Sequence, residues 1–462
     1  MRSAMPIGAA LVIVLSAGVS MAQGPGSQGV YSGPNVLSRW SRMPGNGASR
    51  GPVLSGYLNG TYSYLDGLVG PVTDFNNPGP ILPGSATNIP ASASHTFYGG
   101  GGLNLHRVDA RSSFTVGYQG TFSRAYSKSD NAYGGANQNF NLNYERQLSR
   151  RWGFYTGHSA GSQSSILGLA RPTSNRNFFD QSYSVSNEAL DARLKYLNSG
   201  AGLYFQKSSR LTFSMDGGTF VVSRTSKALA SSRGERAQGE IAYRTSRSQS
   251  VGFMYSFSRF YFPRGFGETY SHSVMFTYTR RLNRTWSLHA GAGPYRAESE
   301  RLIAIAVDPF IAALTGQTST ISVFHGIRTG LGAQAGISGV KRHHSFNASY
   351  RRAVDPGNGL TLTALNDFGQ VSYGYQASRN WSFGAALFAS RLNPLLAGAD
   401  RNADFRSYGG NLNASRRLTR SVHVVGNFAL HTVNYDVINV NRVRRAISIG
   451  LAFSPGDLPL GR

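Results

Sequence analysis

The chain has 462 residues, with 46 Lys or Arg against 21 Asp or Glu, a formal net charge of +25 at neutral pH. Charged residues are only 15% of the chain, below the ~25% usual in soluble globular domains, while Gly numbers 56, Tyr 24 and Phe 26. With no cysteine, disulfides are excluded, and stability has to come from backbone pairing and packing.

The first residues read as an export signal. Met1-Arg2-Ser3 is a positive start, Ile7 to Val19 is apolar, and Ser20-Met21-Ala22 offers small residues for cleavage, so residues 1–22 are expected to be removed. The apolar run is shorter than the ~20 residues a spanning helix needs. No later segment reaches that length without polar interruption, which excludes a helical membrane protein. Residues 23–52 are rich in Gly, Ser and Pro and lack periodicity, so a flexible tail is predicted there, too short to fold as a plug.

From residue 53 to 454 the dominant pattern is period-2 hydrophobicity. Phe114, Val116, Tyr118 and Phe122 alternate with Ser113, Thr115, Gln119, Thr121 and Ser123. The next segment sets Phe140, Leu142 and Tyr144 against Asn139, Asn141, Asn143 and Glu145. Further copies include Leu211/Phe213/Met215, Phe253/Tyr255/Phe257, Val274/Phe276/Tyr278 and Phe346/Ala348/Tyr350. Each copy describes a strand with one apolar and one polar face. Short basic turns separate them, as in Tyr144-Glu-Arg-Gln-Leu-Ser-Arg-Arg-Trp152 and Tyr278-Thr-Arg-Arg-Leu-Asn-Arg-Thr-Trp286. These turns fall near residues 109, 149, 208, 247, 283, 342, 378 and 418. Their spacing is roughly 36–40 residues, a hairpin repeat that stretches where a longer loop intervenes. Eight turns join 16 strands, and an opening strand near 54–65 with a closing strand near 442–453 raises the number to about 18. The irregularity of 54–65 and 360–376 leaves 16 open. The fold class is therefore all-β, a transmembrane antiparallel up-and-down barrel with lipid on one face and a wet lumen on the other.

The closing strand sets Ile447, Ile449, Leu451 and Phe453 against Ser448, Gly450 and Ala452. It resembles the C-terminal strand by which bacterial outer-membrane barrels are recognised for assembly, although here Ser454 to Arg462 follow the aromatic residue. The resemblance covers the whole mature chain and is to porin-like outer-membrane proteins as an architecture. It implies an outer-membrane location with both termini periplasmic, and a short periplasmic tail at 455–462. The implied partners are outer-membrane lipid and lipopolysaccharide, the barrel-assembly machinery and small hydrophilic solutes, with self-association left open.

The basic charge has two readings. Many Arg and Lys occupy the short turns, where they would ring the periplasmic rim beside anionic headgroups. A smaller set follows the polar parity of its strands and would face the lumen: Arg236, Glu240, Arg244, Arg351, Arg417, Arg442, Arg444 and Glu145. Trp152, Trp286 and Trp381 at strand starts, with Phe453, should form an aromatic girdle. Long loops are expected at 66–93, 164–193 and 298–325. In the last, Asp308 and Pro309 start a short helix through Phe310, Ile311 and Leu314 that ends at Gly316. An apolar helix there is expected either to turn into the barrel mouth and narrow it, or to pack on loops or on another subunit.

Catalytic and cofactor signals are sparse. The neighbours His158-Ser159, His272-Ser273 and His344-Ser345 would point to opposite faces of a strand, and no cluster has metal-ligand spacing. No cofactor is implied, and basic grooves with interleaved stacking aromatics, the mark of nucleic-acid binding, are not arranged here. The leading expectation is a passive channel for small hydrophilic solutes, with lumenal Arg favouring anions. The alternatives are an export pore for an anionic polysaccharide, and a closed barrel serving as adhesin or anchor.

Overall fold

A strand with alternating faces buries its backbone polar groups only by pairing on both edges, and in lipid that requires closure. The computed structural model describes residues 51–68, 92–125, 135–164, 193–225, 229–263, 267–307, 310, 313–314, 316, 319–359, 361–378, 380–395, 404–435, 440–455 and 457–459. In chain order the strands are β1 (Gly51–Leu68), β2 (Ser92–Val108), β3 (Ser112–Ala125), β4 (Gly135–Gln147), β5 (Trp152–Ser164) and β6 (Arg193–Gln206). Then come β7 (Leu211–Arg224), β8 (Ser232–Arg244), β9 (Gln249–Phe262), β10 (Gly267–Arg281), β11 (Trp286–Ala306) and β12 (Ser319–Lys341). The circuit continues with β13 (His344–Pro356), β14 (Thr363–Gln376), β15 (Trp381–Pro394), β16 (Phe405–Arg417), β17 (Val422–Tyr435) and β18 (Val440–Phe453). Each pairs antiparallel with its neighbours in the chain, and β1 closes on β18 from Leu58↔Phe453 to Asp66↔Arg445. The result is a closed 18-stranded barrel. A further short strand, β19 (Asp457–Pro459), continues the wall past Phe453 and pairs with Val53–Ser55.

At one end of the barrel all eight connections are four residues or shorter, and they fall where the turns were expected. In five of them the chemistry is local and repeated: a Ser, Asn or Thr side-chain oxygen accepts the N–H three residues on. Ser149 accepts from Trp152 at 3.1 Å, Asn283 from Trp286 at 2.8 Å, Ser378 from Trp381 at 3.2 Å and Thr419 from Val422 at 3.0 Å. That bond closes a tight turn and fixes the first residue of the outgoing strand, which in three of these turns is a tryptophan.

The barrel is apolar outside. Met215, Phe253 and Leu387 expose 64%, 62% and 65% of their surface, and they belong to a belt of such residues. A belt of this extent in water would be a large unsatisfied apolar surface, so it faces lipid. Trp152 and Trp381 are exposed at the short-turn end of that belt and Trp286 is half-buried there. Trp152 stacks on Phe205 with ring centroids 4.5 Å apart, and Trp286 meets Phe346 at 5.7 Å. Phe453 is exposed at the same end of β18.

The expected loop at 298–325 is much shorter than its sequence suggested. β11 and β12 stay paired from Glu298↔Ile327 to Ala306↔Ser319, so the connection is only 307–318. Period-2 alternation continues along β12 through Ile321, Val323 and Ile327, and cross-strand pairing extends the hairpin beyond the rim. The loops at 66–93 and 164–193 lie almost wholly outside the described residues, as do the export signal and residues 23–50. Gly51 and Pro52, the end of the expected tail, already belong to β1.

Candidate channel constriction

Cross-strand partners point to the same face, so the register assigns the lumenal side chains. Through much of the barrel they are small or amide-bearing: Asn139, Asn141 and Asn143 on β4, Gln119 on β3 and Ser256 on β9 face inward opposite the apolar belt. Such a lining hydrogen-bonds water along its length.

The exception lies at the loop end, where β13 and β14 leave the pattern. Pairing of β12 with β13 stops at Ala333↔Arg352, whereas β13 stays paired with β14 as far as Pro356↔Thr363. Beyond Arg352 alternation is lost. Val354, Asp355 and Pro356 are all buried, as are Thr363, Ala364, Leu365 and Asn366. A wall strand buries one face at most against the lumen, so consecutive buried residues mean that this hairpin tip has protein on both faces. Val354 and Leu365 join Leu194, Phe220, Val222, Phe260, Phe262, Tyr295, Ala297 and Leu395 in one buried apolar cluster. Those residues come from β6, β7, β9 and β11 and from the end of β15, so the tip lies across the barrel mouth.

Polar contacts pin the tip. Asp355 is nearly fully buried and receives Arg236 Nη2 at 3.3 Å, Asn366 Nδ2 at 3.0 Å and a close ion pair from Arg351. Arg236 on β8 and Arg351 on β13 lie five strands apart round the wall, so this carboxylate bridges the lumen. The Arg236 guanidinium also sits 5.7 Å from the Phe220 ring centroid and 6.0 Å from that of Phe260. Arg224, at the end of β7, donates to the carbonyls of Ala230 at 2.6 Å and Gly357 at 3.5 Å. Ala230 N–H donates to Gly359 O at 2.9 Å, and the Thr269 and Thr363 hydroxyls meet at 2.8 Å.

Two glycines make the turn possible. Gly359 has φ +90°, a left-handed conformation that disfavours a side chain, and a Cβ there would meet Arg224 and Leu229 at 3.0–3.1 Å. A Cβ on Gly357 would overlap the Thr361 carbonyl. Asn358 closes the segment by accepting the Thr361 N–H at 3.0 Å.

Of the residues singled out from sequence, the structure unites Arg236 and Arg351 on Asp355. Glu240 faces inward and is buried, accepting Thr277 Oγ1 at 3.2 Å. Arg244 and Arg417 face inward at the short-turn rim, where they donate to Ser246 O at 3.0 Å and Thr419 O at 3.1 Å. Glu145 lies opposite Tyr155 on the inner face, three strands from Asp216. Arg442 and Arg444 are buried on the inner face of β18 towards the loop end. Of the segment 308–314, expected to narrow the mouth or to pack elsewhere, only three residues are described. Phe310, Ala313 and Leu314 have helical backbone, but Phe310 and Leu314 are 73% and 72% exposed and neither joins the cluster. Asp308, Pro309 and Ile311 lie outside the described residues. Among the described residues, the segment that lies in the mouth is the β13–β14 tip. Sequence reading missed Asp355, Arg224 and residues 357–362, whose signals were Pro356-Gly-Asn-Gly359 and the broken alternation after Thr361.

No protein-family model matches the chain, and no curated protein matches it. Among solved structures it is similar to OpdQ of Pseudomonas aeruginosa, at 13% identity over 89% of this chain and 99% of that one, with a TM-score of 0.38. It is similar to a BenF-like porin from Pseudomonas fluorescens Pf-5, at 11% identity over 88% and 99%, with a TM-score of 0.41. The import receptor Fiu of E. coli K12 aligns at 8% identity over 88% and 82%, with a TM-score of 0.42. At such low identity and TM-score the barrel assignment rests on the chain's own pairing and faces. A closed antiparallel wall, apolar outside and polar inside, is the architecture of a porin-like outer-membrane protein.

Proposed function

We propose that the protein is an outer-membrane channel for passive diffusion of small hydrophilic solutes, narrowed by the β13–β14 tip and favouring anions. One observation carries this reading: a hydrogen-bonding lumen meets, at its loop end, an inward hairpin edged by Arg224, Arg236 and Arg351. Eighteen strands leave room for water, and a constriction is where fixed charge acts most strongly on a passing ion. Asp355 neutralises part of that charge, but three guanidinium groups against one carboxylate leave the narrowing positive. In this reading the short-turn end faces the periplasm and the long loops face outward. Export of an anionic polysaccharide gains less support. The inward arginines fall into separate groups at the tip, at the rim and on β18, and do not form a continuous file.

The test is planar-bilayer recording of the refolded mature protein under a KCl gradient. Steady conductance with an anion-favouring reversal potential is expected, and Arg236→Gln with Arg351→Gln should move that potential towards zero. A silent barrel would contradict the channel. A cation-favouring potential would contradict the role given to these arginines.

A further inference from the structure

The two rims of the barrel handle charge differently. At the loop rim the outer face carries carboxylates that pair with part of its basic charge: Arg296 with Glu298 at 2.6 Å, Arg352 with Asp367 at 3.4 Å, and Arg391 and Arg406 both with Asp404. At the short-turn rim every one of the eight connections carries an Arg or Lys in its sequence. Among the described residues, the only ion pair at that rim is Arg107 with Asp109 at 3.1 Å. Arg111, Arg150, Arg151, Arg247, Arg284 and Arg420 are exposed there without a carboxylate partner.

Neighbouring turns are two strands apart, about 10 Å, close to the Debye length of about 8 Å at physiological salt. Adjacent cations are therefore partly screened from one another, and the ring as a whole keeps a positive potential close to its surface. The loop rim answers part of its charge with carboxylates of its own chain. The short-turn rim does not, so its counter-charge has to come from outside. The distribution indicates the source. The cations encircle the barrel just beyond Trp152, Trp286 and Trp381, at the depth where headgroups meet an aromatic girdle. Arg416 lies over the Trp381 ring at 5.3 Å, joining the charged ring to the girdle. A docked protein would call for a localised face, whereas a leaflet meets the whole circumference.

We propose that the short-turn rim is a collar that binds the phosphates of anionic phospholipids in the adjoining leaflet. The collar lies outside the channel path, so the proposal does not depend on whether the pore conducts.

The test reconstitutes the full mature chain in phosphatidylcholine vesicles with and without phosphatidylglycerol. Retained lipid is counted by native mass spectrometry after detergent extraction, and folding is read from the heat-modifiable gel band. Preferential retention of phosphatidylglycerol is expected, weakening roughly fivefold for each collar cation neutralised and vanishing in high salt. A combined Arg150→Gln, Arg151→Gln, Arg284→Gln and Arg420→Gln variant should lose the preference, while Arg296→Gln at the loop rim should keep it. If the combined variant does not fold, the salt titration of the unaltered protein decides alone. Equal retention of both lipids by the unaltered protein would overturn the proposal, as would a preference that survives high salt. Soluble polyglutamate that binds the collar and displaces phosphatidylglycerol would also overturn it, in favour of an acidic protein partner.

Discussion

The two ends of this barrel are built by different means. At the short-turn end five of the eight strand pairs are closed by one side-chain oxygen and the N–H three residues later, and the lumenal faces stay polar. At the loop end a hairpin tip abandons alternation, buries both faces and is held by contacts from strands far away in sequence. The difference shows how one repeating wall can be regular enough to assemble locally and still carry a non-repeating element in its lumen.

The comparison can be broken most severely through the apolar cluster. Phe260 is fully buried beneath the tip, and Phe260→Ala should cost about 3–5 kcal/mol. That loss should appear as a lower temperature for conversion of the folded gel band. Asp355→Asn leaves Arg236 and Arg351 without their carboxylate and should cost about 3 kcal/mol. It should also make the reversal potential more anion-favouring, because a negative charge leaves the narrowing while its three guanidinium groups remain. Arg391→Gln breaks a half-exposed pair on the outer loop rim and should cost less than about 1 kcal/mol. If Arg391→Gln proved as damaging as Asp355→Asn, the distinction between a structural mouth and a solvated rim would fail.

What could be read from sequence follows the same division. The turns at Ser149, Asn283, Ser378 and Thr419 were legible because their chemistry closes within four residues. The inward parity of Arg236, Glu240 and Arg244 was legible because alternation holds unbroken along β8. The helix signals around Phe310 and Leu314 were also local, and the backbone there is helical, but where such a segment goes is decided by non-local packing. The same is true of the β13–β14 tip. Pro356-Gly-Asn-Gly359 reads as an ordinary surface turn, and nothing near it in sequence announces Phe220, Phe260 or Arg236 as its neighbours. The length of β11 and β12 was hidden for a related reason. Leu302 to Ala306 resemble a loop's apolar insert until paired with the strand returning from Ser319.

The most direct measurement is single-channel conductance of the unaltered protein against a variant in which residues 357–362 are replaced by Asn-Gly, a two-residue hairpin turn. If the β13–β14 tip is the narrowest point of the lumen, the shortened variant should conduct several-fold more and lose part of its anion preference. Identical conductance and selectivity in the two proteins would place the constriction elsewhere and contradict the role assigned to the tip.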